Sequence, residues 1–183
     1  MSPVITEKKK HTYEDYLKTP ENERYELIEG ELIMTPSPVP NHQKISLRIT
    51  VMLREFVYKN NLGEILYAPC DVVLDNENVV QPDIMFIAKD RLHIIGEKNI
   101  QGAPDLVIEI ISESSAYRDI VQKKKLYARF GVKEYWIVIP EEASIEIYSL
   151  KENIYHLSNT YRKDQTLESP NLTGLKLNVK EIF

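Results

Sequence analysis

The sequence predicts a mixed α/β fold, in which helices pack on a β-sheet. Two apolar runs, at residues 104–111 and 134–139, have the length and composition of buried strands, and a segment with helical periodicity separates them. Short polar turns join further strand-like segments on either side. With 183 residues, 43% of them hydrophobic, the chain can bury a sizeable core, so we expect a loose tail over 1–11 and a single domain over 12–183.

Composition narrows the classes of function. No apolar run approaches the roughly 18 residues of a membrane span, and no secretory segment opens the chain, so we expect a cytoplasmic protein with no membrane partner. Cys70 is the only cysteine, which rules out an internal disulfide and a cysteine-based zinc site. The net charge of -5 argues against wholesale wrapping of nucleic acid, but it allows an acidic site that metal ions neutralise locally.

The first predicted elements are a short helix and a hairpin. Thr12 is a candidate N-cap, and Asp15 follows it three residues later, as in a capping box. Two short strands, 25–28 and 31–34, flank the dipeptide Glu29-Gly30, which predicts a tight hairpin.

A long helix is predicted after the proline-rich piece TPSPVP, with Asn41 as its N-cap and its end near Asn60. One face of this helix carries core residues at helical spacing: His42, Ile45, Ile49, Met52, Leu53 and Phe56. A smaller stripe of Leu47, Val51 and Tyr58 fits either packing under a loop or a contact in a twofold homodimer.

The rest of the chain is predicted to be mostly strand. Strands are expected at 64–74, 79–88, 104–111 and 134–139, and as an antiparallel pair at 144–149 and 153–157. A helix over 117–130 is ended by Gly131. The segment from Thr166 onward is expected to be irregular and to end in a short strand or helix.

Two Pro-Asp dipeptides mark acids in or beside predicted strands. In PDLVIEII, residues 104–111, alternation puts Asp105 and Glu109 on the same side of a buried strand. An ionised carboxylate at Glu109 is costly unless a cation meets it. The other dipeptide ends in Asp83, and because Pro82 cannot donate to a strand ladder, we expect a disturbed point of the sheet there. Asp83 is then either a functional acid or a turn cap.

The helix after PDLVIEII supplies candidate cations. At 100° per residue, its apolar residues occupy one broad arc: Ile120, Val121, Leu126, Tyr127, Ala128 and Phe130. Lys123 falls inside this arc, whereas Lys124 falls nearer its edge and can reach water. Two readings stay open: a buried Glu109–Lys123 ion pair, or a divalent metal held by Asp83 and Glu109, with the lysine stabilising developing negative charge.

Several motifs occur in a fixed order along the chain: YELIEGELI, His42 at the start of a helix, QPDIMFI, GAPDLVIEIISESS, the four-residue spacing of Asp119, Lys123 and Tyr127, and GVKEYWIV. This ordered set, over roughly residues 12–183, resembles the Uma family of putative restriction endonucleases, which is similar to the PD-(D/E)xK nuclease superfamily. The resemblance implies a restriction-endonuclease-like mixed sheet flanked by helices, with an N-terminal β-hairpin.

The resemblance also implies roles for the matched residues. Asp83 and Glu109 would bind a divalent metal, Mg²⁺ or Mn²⁺, together with the backbone carbonyl of Ile110. The superfamily's lysine position, two residues after Glu109, holds Ile111, and the resemblance places the lysine in the following helix at Lys123.

Five further residues are weaker candidates. His42 could contact a phosphate or a metal-bound water, and Asp105 could be a second metal contact or a cap at the start of its strand. Glu26 and Glu31 match acidic positions of the family pattern, and Tyr127 completes the helix motif.

These inferences lead to an endonuclease that hydrolyses phosphodiester bonds in DNA. The alternative is a non-catalytic module that keeps the fold and binds nucleic acid or another partner; a metal site without cleavage would favour it. A glycosidase built on a pair of carboxylates would explain the acids but not the buried lysine.

Overall fold

The computed structural model describes residues 10–112 and 115–183, which form a five-stranded, a six-stranded and a two-stranded β-sheet with helices packed against them. The strands are β1 (Tyr25–Ile28), β2 (Glu31–Met34), β3 (Gly63–Tyr67), β4 (Val72–Asp75), β5 (Asn78–Val80), β6 (Ile84–Ala88), β7 (Ile100–Gln101), β8 (Leu106–Ile110), β9 (Glu134–Ile139), β10 (Ser144–Lys151), β11 (Ile154–Arg162), β12 (Thr166–Glu168) and β13 (Lys176–Asn178). The α-helices are α1 (Tyr13–Tyr16), α2 (Pro40–Lys59) and α3 (Lys124–Arg129). A π-helical turn (Arg118–Lys123) leads into α3, and 3-10 turns occur at Lys89–Ile94, Pro140–Glu142 and Val179–Glu181.

The sheets confirm the predicted mixed α/β fold. The five-stranded sheet has the order β2-β1-β5-β4-β7, and the six-stranded sheet has the order β11-β10-β9-β8-β6-β3. In the larger sheet, β8 and β9 are parallel because the helix crosses between them, whereas β6 pairs with β8 antiparallel. No helix in these residue ranges combines the length and apolar character that crossing a membrane requires.

The hydrophobic core lies on both faces of the six-stranded sheet. Alternate residues of β8 divide between the two sides: Leu106 and Ile108 pack with residues of α2, whereas Val107 packs with Tyr127 of α3. The five-stranded sheet closes the α3 side through residues such as Ile28. Glu109, on the same side of β8 as Val107, therefore faces α3.

The N-terminal elements form as predicted. The backbone N–H of Thr12 donates to the Asp15 carboxylate (3.1 Å), and β1 and β2 join through a turn in which Glu29 and Gly30 both have positive φ. Residues 1–9 of the predicted tail lie outside the described residues. At its described end, Lys10 pairs with Glu77 (2.6 Å).

The two strands predicted at 64–74 and 79–88 are wrong as continuous elements. Each is divided between the two sheets: the first into β3 and β4, the second into β5 and β6. Pro69 and Pro82 lie at the breaks, where a residue without a backbone N–H cannot continue a ladder. The second break sets Asp83 where the chain passes from one sheet to the other.

Two predictions for α2 also need correction. The helix begins at Pro40 instead of after an Asn41 cap, because proline in the first turn lacks only an N–H that would have no intrahelical partner. Leu47 and Val51 are 65% and 55% exposed, so the interpretation that a loop covers this stripe is wrong. The homodimer contact stays a prediction.

The helical arc predicted for 117–130 is out of phase at its start. Ile120, expected in the core, is 40% exposed, whereas Asp119 and Lys123 are both 3% exposed. The π-helical turn explains this difference, because its i→i+5 bonding rotates side chains by less than 100° per residue. Lys123, Leu126 and Tyr127 are buried as predicted.

The C-terminal segment is more ordered than predicted, and Glu134 anchors it. The Oε1 atom of Glu134 accepts hydrogen bonds from Trp136 and from Ser169 (2.8 Å), and its Oε2 atom accepts one from the backbone N–H of Asn171 (2.7 Å). Burial raises the pKa of Glu134, while these donors oppose the shift. The strand β9 thereby fixes the chain between β12 and β13.

We expect Glu134→Gln to lower the free energy of unfolding by about 1–3 kcal/mol, because an amide nitrogen must then face one of the three buried donors. Chemical denaturation measures this loss. The matched control is Glu141→Gln at an exposed position, which should leave stability nearly unchanged. Equal stability of the two variants would contradict an anchoring role for Glu134.

Candidate active site

A cleft of about 110 Å³ opens where the five-stranded and six-stranded sheets meet. Its lining combines four carboxylates with basic side chains and hydroxyls; the acids are Glu26, Asp83, Glu109 and Asp119. A second depression of about 610 Å³ shares Val39, His42 and Ser112 with the cleft, so the site continues into an open groove. Residues 113 and 114 of the SESS motif lie outside the described residues.

Strand pairing brings Asp83 and Glu109 together. Ile84 of β6 pairs with Ile108 of β8, so Asp83, just before Ile84, lies opposite Glu109, just after Ile108. The Asp83 Oδ2 atom accepts a hydrogen bond from the backbone N–H of Ile110 (2.8 Å), which ties the carboxylate to β8. The two acids predicted as a pair thus line one cleft.

Glu109 is held by two side chains from the helix above it. Lys123 Nζ and the Tyr127 hydroxyl donate to Glu109 Oε1 at 3.0 and 2.7 Å. Burial raises the pKa of Glu109 well above its usual range, although the Lys123 charge opposes this shift. Burial likewise raises the pKa of Tyr127, so its hydroxyl keeps its proton and remains a donor.

Lys123 joins three carboxylates. Its Nζ atom lies 2.7 Å from Glu26 Oε1, 3.0 Å from Glu109 Oε1 and 3.5 Å from Asp119 Oδ1. Burial by itself would lower the pKa of Lys123, but attraction by the three acids outweighs it and raises the pKa above 10.5. Lys123 is therefore an ammonium group at neutral pH, able to donate and to stabilise negative charge but not to accept a proton.

Lys124, the other candidate lysine, points elsewhere. Its Nζ atom lies 3.3 Å from the centroid of the Tyr148 ring, a cation–π contact on the far side of the helix turn. It does not line the cleft that contains Lys123. The structure therefore separates two lysines that periodicity alone left close together.

The two hairpin acids have different surroundings. Glu26 is 1% exposed, contacts Lys123, and accepts a hydrogen bond from the backbone N–H of Gln81 (2.8 Å). Glu31 is exposed on β2 and does not line the cleft. The hairpin folds over the end of the larger sheet, so it delivers one of its two acids to the site.

His42 lies in the first turn of α2 and contacts Asp83. Its Nε2 atom is 3.0 Å from Asp83 Oδ2, and its buried Nδ1 atom has no hydrogen-bond partner in the part of the chain that the structure describes. With the Ile110 N–H, His42 fixes the orientation of the Asp83 carboxylate.

Asp105 lies outside the cluster, at the opposite end of β8. Its carboxylate contacts Lys133 Nζ (2.8 Å), Arg91 Nη1 (3.1 Å) and the backbone N–H of Ala88 (2.9 Å). Burial acts against ionisation, but these donors hold the pKa of Asp105 below its usual range. These contacts fit the predicted cap at the start of the strand and give no support to a second metal contact.

Sequence reasoning missed two arginines, Arg24 and Arg118, both of which line the cleft. Arg118 Nε lies 3.4 Å from Glu26 Oε2, a contact between the helix and the hairpin. The position of Arg118 next to Asp119 in the helix motif could have indicated that Arg118 lines the cleft. Arg24 carried no signal, because its neighbourhood depends on how the hairpin packs.

The oxygen atoms of the central acids suit a divalent metal. Within residues 10–112 and 115–183, Asp83 makes its side-chain hydrogen bonds through Oδ2 and Glu109 makes its own through Oε1, so each keeps a second oxygen without such a bond. Carboxylate oxygens are the ligands that Mg²⁺ and Mn²⁺ prefer. These residues contain no group of three or more His, Cys, Asp or Glu arranged to hold a metal, so two carboxylates would need water or backbone oxygens as further ligands.

Comparison with known proteins agrees with this architecture. A crystal structure of a putative nuclease belonging to DUF820 from Anabaena variabilis superposes with a TM-score of 0.79 at 21% identity, covering 94% of this chain and 97% of that one. The likeness shows a shared fold. No curated protein matches the chain. The Uma2 family, described as "Putative restriction endonuclease", matches residues 12–180, and the chain therefore belongs to this family.

Proposed function

We propose that the protein is a metal-dependent endonuclease that hydrolyses phosphodiester bonds in DNA. The observation that carries the proposal is the Lys123 ammonium, 3.0 Å from Glu109 Oε1, in a cleft that Asp83 also lines. Family membership supports the same reaction class. Residues 12–183 would act as one catalytic domain.

Asp83 and Glu109 would hold the metal, together with the backbone carbonyl of Ile110. When bound, Mg²⁺ or Mn²⁺ supplies a Lewis acid and lowers the pKa of water in its coordination sphere. His42 and Tyr127 each contact one of the acids, Asp83 and Glu109 respectively, so both carboxylates are oriented before a metal arrives.

Lys123 would act on the substrate phosphate. The water oxygen bonds to phosphorus, one ester P–O bond breaks, and the products are a phosphomonoester and an alcohol. Negative charge builds on the phosphoryl oxygens during this step, and the fixed ammonium of Lys123 would stabilise that charge and orient the water.

The alternative, a non-catalytic binding module, explains the cluster less well. Burying Lys123 with Glu26, Glu109 and Asp119 costs desolvation free energy that apolar side chains would avoid, so stability alone does not favour the arrangement. Strongly shifted pKa values in a cleft are typical of functional sites.

Cleavage of supercoiled plasmid DNA in the presence of Mn²⁺ or Mg²⁺ tests the proposal. We expect nicked and linear products, and none when a chelator is present. Intact plasmid after long incubation with either metal, and intact single-stranded DNA in parallel, would favour the binding module.

We also expect millimolar Mn²⁺ or Mg²⁺ to raise the melting temperature, because the metal binds the folded chain and relieves repulsion between Asp83 and Glu109. At about 100 times Kd the gain is about 2.7 kcal/mol, or roughly 5–10 °C. Thermal melts should lose the shift in Asp83→Asn and keep it in Asp164→Asn, an exposed control. An unchanged melt of the wild type would count against the metal site.

A further inference from the structure

Two arginines of the cleft have no task in the proposed chemistry. Arg24 donates from Nε to Gln81 Oε1 (3.1 Å), and Arg118 Nε lies near Glu26 Oε2 (3.4 Å) and Asp119 Oδ1 (3.9 Å). Arg24 is therefore held by a hydrogen bond through Nε, whereas Arg118 Nε is buried beside two carboxylates without a hydrogen bond among the described residues. Among the described residues, neither arginine donates a hydrogen bond from its terminal guanidinium nitrogens.

An unpaired hydroxyl lies in the same lining. Thr35 Oγ1 is buried and has no hydrogen-bond partner in the residues that the structure describes. An unsatisfied buried hydroxyl costs free energy unless a ligand or water meets it. Its position in one cleft with two guanidinium groups points to a ligand that accepts several hydrogen bonds.

Phosphate has the matching chemistry. Guanidinium groups bind phosphate oxygens through paired N–H bonds, and an arginine that is already anchored loses less side-chain entropy on binding. Lys123 is not counted for this ligand, because the proposed function already places its ammonium group beside the phosphate that is cut. Arg24 and Arg118 are thus the cations of this lining that can turn to a second anion.

We propose that Arg24 and Arg118, with the Thr35 hydroxyl, form a second subsite that binds a DNA backbone phosphate next to the phosphate that is cut. The inference rests on the proposed function, since it takes the substrate to be DNA. In this arrangement the cleft binds two successive phosphates of one strand.

The charge of the cleft links this subsite to the metal. Four carboxylates and three cations line it, namely Arg24, Arg118 and Lys123 on the positive side, which gives a formal charge of -1 with His42 neutral. A divalent ion between Asp83 and Glu109 would make the cleft positive. DNA affinity should therefore be higher in the presence of Mg²⁺ than in the presence of a chelator. Most of that gain should disappear when the two arginines are changed.

Fluorescence anisotropy with a labelled DNA duplex tests the subsite. The arginine variants are made in a Glu109→Gln background, so that the duplex is not cleaved during the measurement. We expect Arg24→Gln and Arg118→Gln each to weaken binding roughly tenfold, the cost of a hydrogen bond to a charged group. Each should also reduce the slope of log K against log salt by about 0.9, the value for one lost phosphate contact. The matched control is Arg54→Gln, at an exposed arginine that stacks on Tyr58 outside the cleft.

Several outcomes would overturn the subsite. Unchanged affinity in both variants would do so, as would weaker binding with an unchanged salt slope, because the loss would then not be a phosphate contact. A loss seen only with 5′-phosphorylated duplex, or equal competition by inorganic phosphate, would assign the arginines to a terminal or free phosphate. Arg118 also contacts two buried acids, so if its variant is unfolded in a thermal melt, Arg24→Gln decides.

The same experiment separates the subsite from the proposed function. If the wild type never cuts DNA and the two arginines still set its affinity and salt slope, the subsite stands and the nuclease proposal fails. If the wild type cuts DNA and neither arginine matters to binding, the nuclease stands and the subsite fails.

Discussion

Glu109→Gln is expected to reduce DNA cleavage by about 10³-fold or more while leaving the fold at least as stable as the wild type. Activity falls because glutamine replaces one of the two carboxylates that would hold the metal in the proposed mechanism. Stability is kept because the amide oxygen can still accept from Lys123 and Tyr127, and one buried negative charge disappears. Plasmid cleavage rates and thermal melts at neutral pH measure the two effects.

Asp105→Asn is the matched control for Glu109→Gln, since both acids lie on one side of β8 and both are buried. Asp105 contacts Arg91, Lys133 and the Ala88 N–H instead of the cleft, so its loss should cost stability and leave the cleavage rate of folded protein unchanged. Loss of cleavage in Asp105→Asn with full retention in Glu109→Gln would show that the wrong acid had been chosen.

Lys123→Met is expected to reduce cleavage by about 10²–10³-fold and, in addition, to destabilise the protein by about 3–5 kcal/mol at neutral pH. The ammonium lies within 3.5 Å of Glu26, Glu109 and Asp119, so its removal leaves three buried carboxylates without their shared cation. Arg118 contacts only Glu26 and Asp119, at 3.4 and 3.9 Å. Helical periodicity by itself predicts that methionine is tolerated at position 123, because the position lies in a buried apolar arc. The contacts reverse that expectation.

The loss in Lys123→Met should depend on pH in a defined direction. The pKa values of Glu109 and Asp119 are raised by burial, so the folded state binds protons that the unfolded state releases above its ordinary values of 4.5 and 3.8. Stability therefore falls as pH rises from these ordinary values towards the raised pKa values of the folded state. Without Lys123, whose charge lowers both pKa values, the fall should be larger and should extend to higher pH. The raised pKa of Lys123 adds stability that is fully present below 10.5 and is lost only above it.

Melting temperatures between pH 5 and pH 8 test this directly. The variant should recover part of its loss towards pH 5, whereas the wild type should change less. Lys123→Met combined with Glu109→Gln should be more stable than Lys123→Met, because the double change removes one of the unpaired acids. Lys124→Met should keep both stability and cleavage, and a cleavage loss confined to Lys124→Met would reassign the catalytic lysine.

Much of the fold follows from local sequence. The hairpin around Glu29-Gly30, the existence of the strands β8 and β9, and the burial of Lys123 each depend on periodicity or turn chemistry within about fifteen residues. The sequence did not predict that two of the strands divide between two sheets. Pro69 and Pro82 indicate where each strand breaks, but not which sheet each half joins. The phase error at Ile120 arose because a π-helical turn has no reliable sequence signal.

The sequence by itself determined that Glu109 is a buried acid, that Asp83 lies at a sheet break, and that a lysine faces the core. Those conclusions need only the alternation of a strand and the phase of one helix. Tertiary structure alone decided that Glu26 belongs to the cluster while Glu31 does not, that Asp105 pairs with Lys133, and that Lys124 stacks on Tyr148. The physical reason is distance along the chain: Glu26 and Lys123 are separated by 97 positions in residue number, and only the packing of the hairpin over the larger sheet makes their contact.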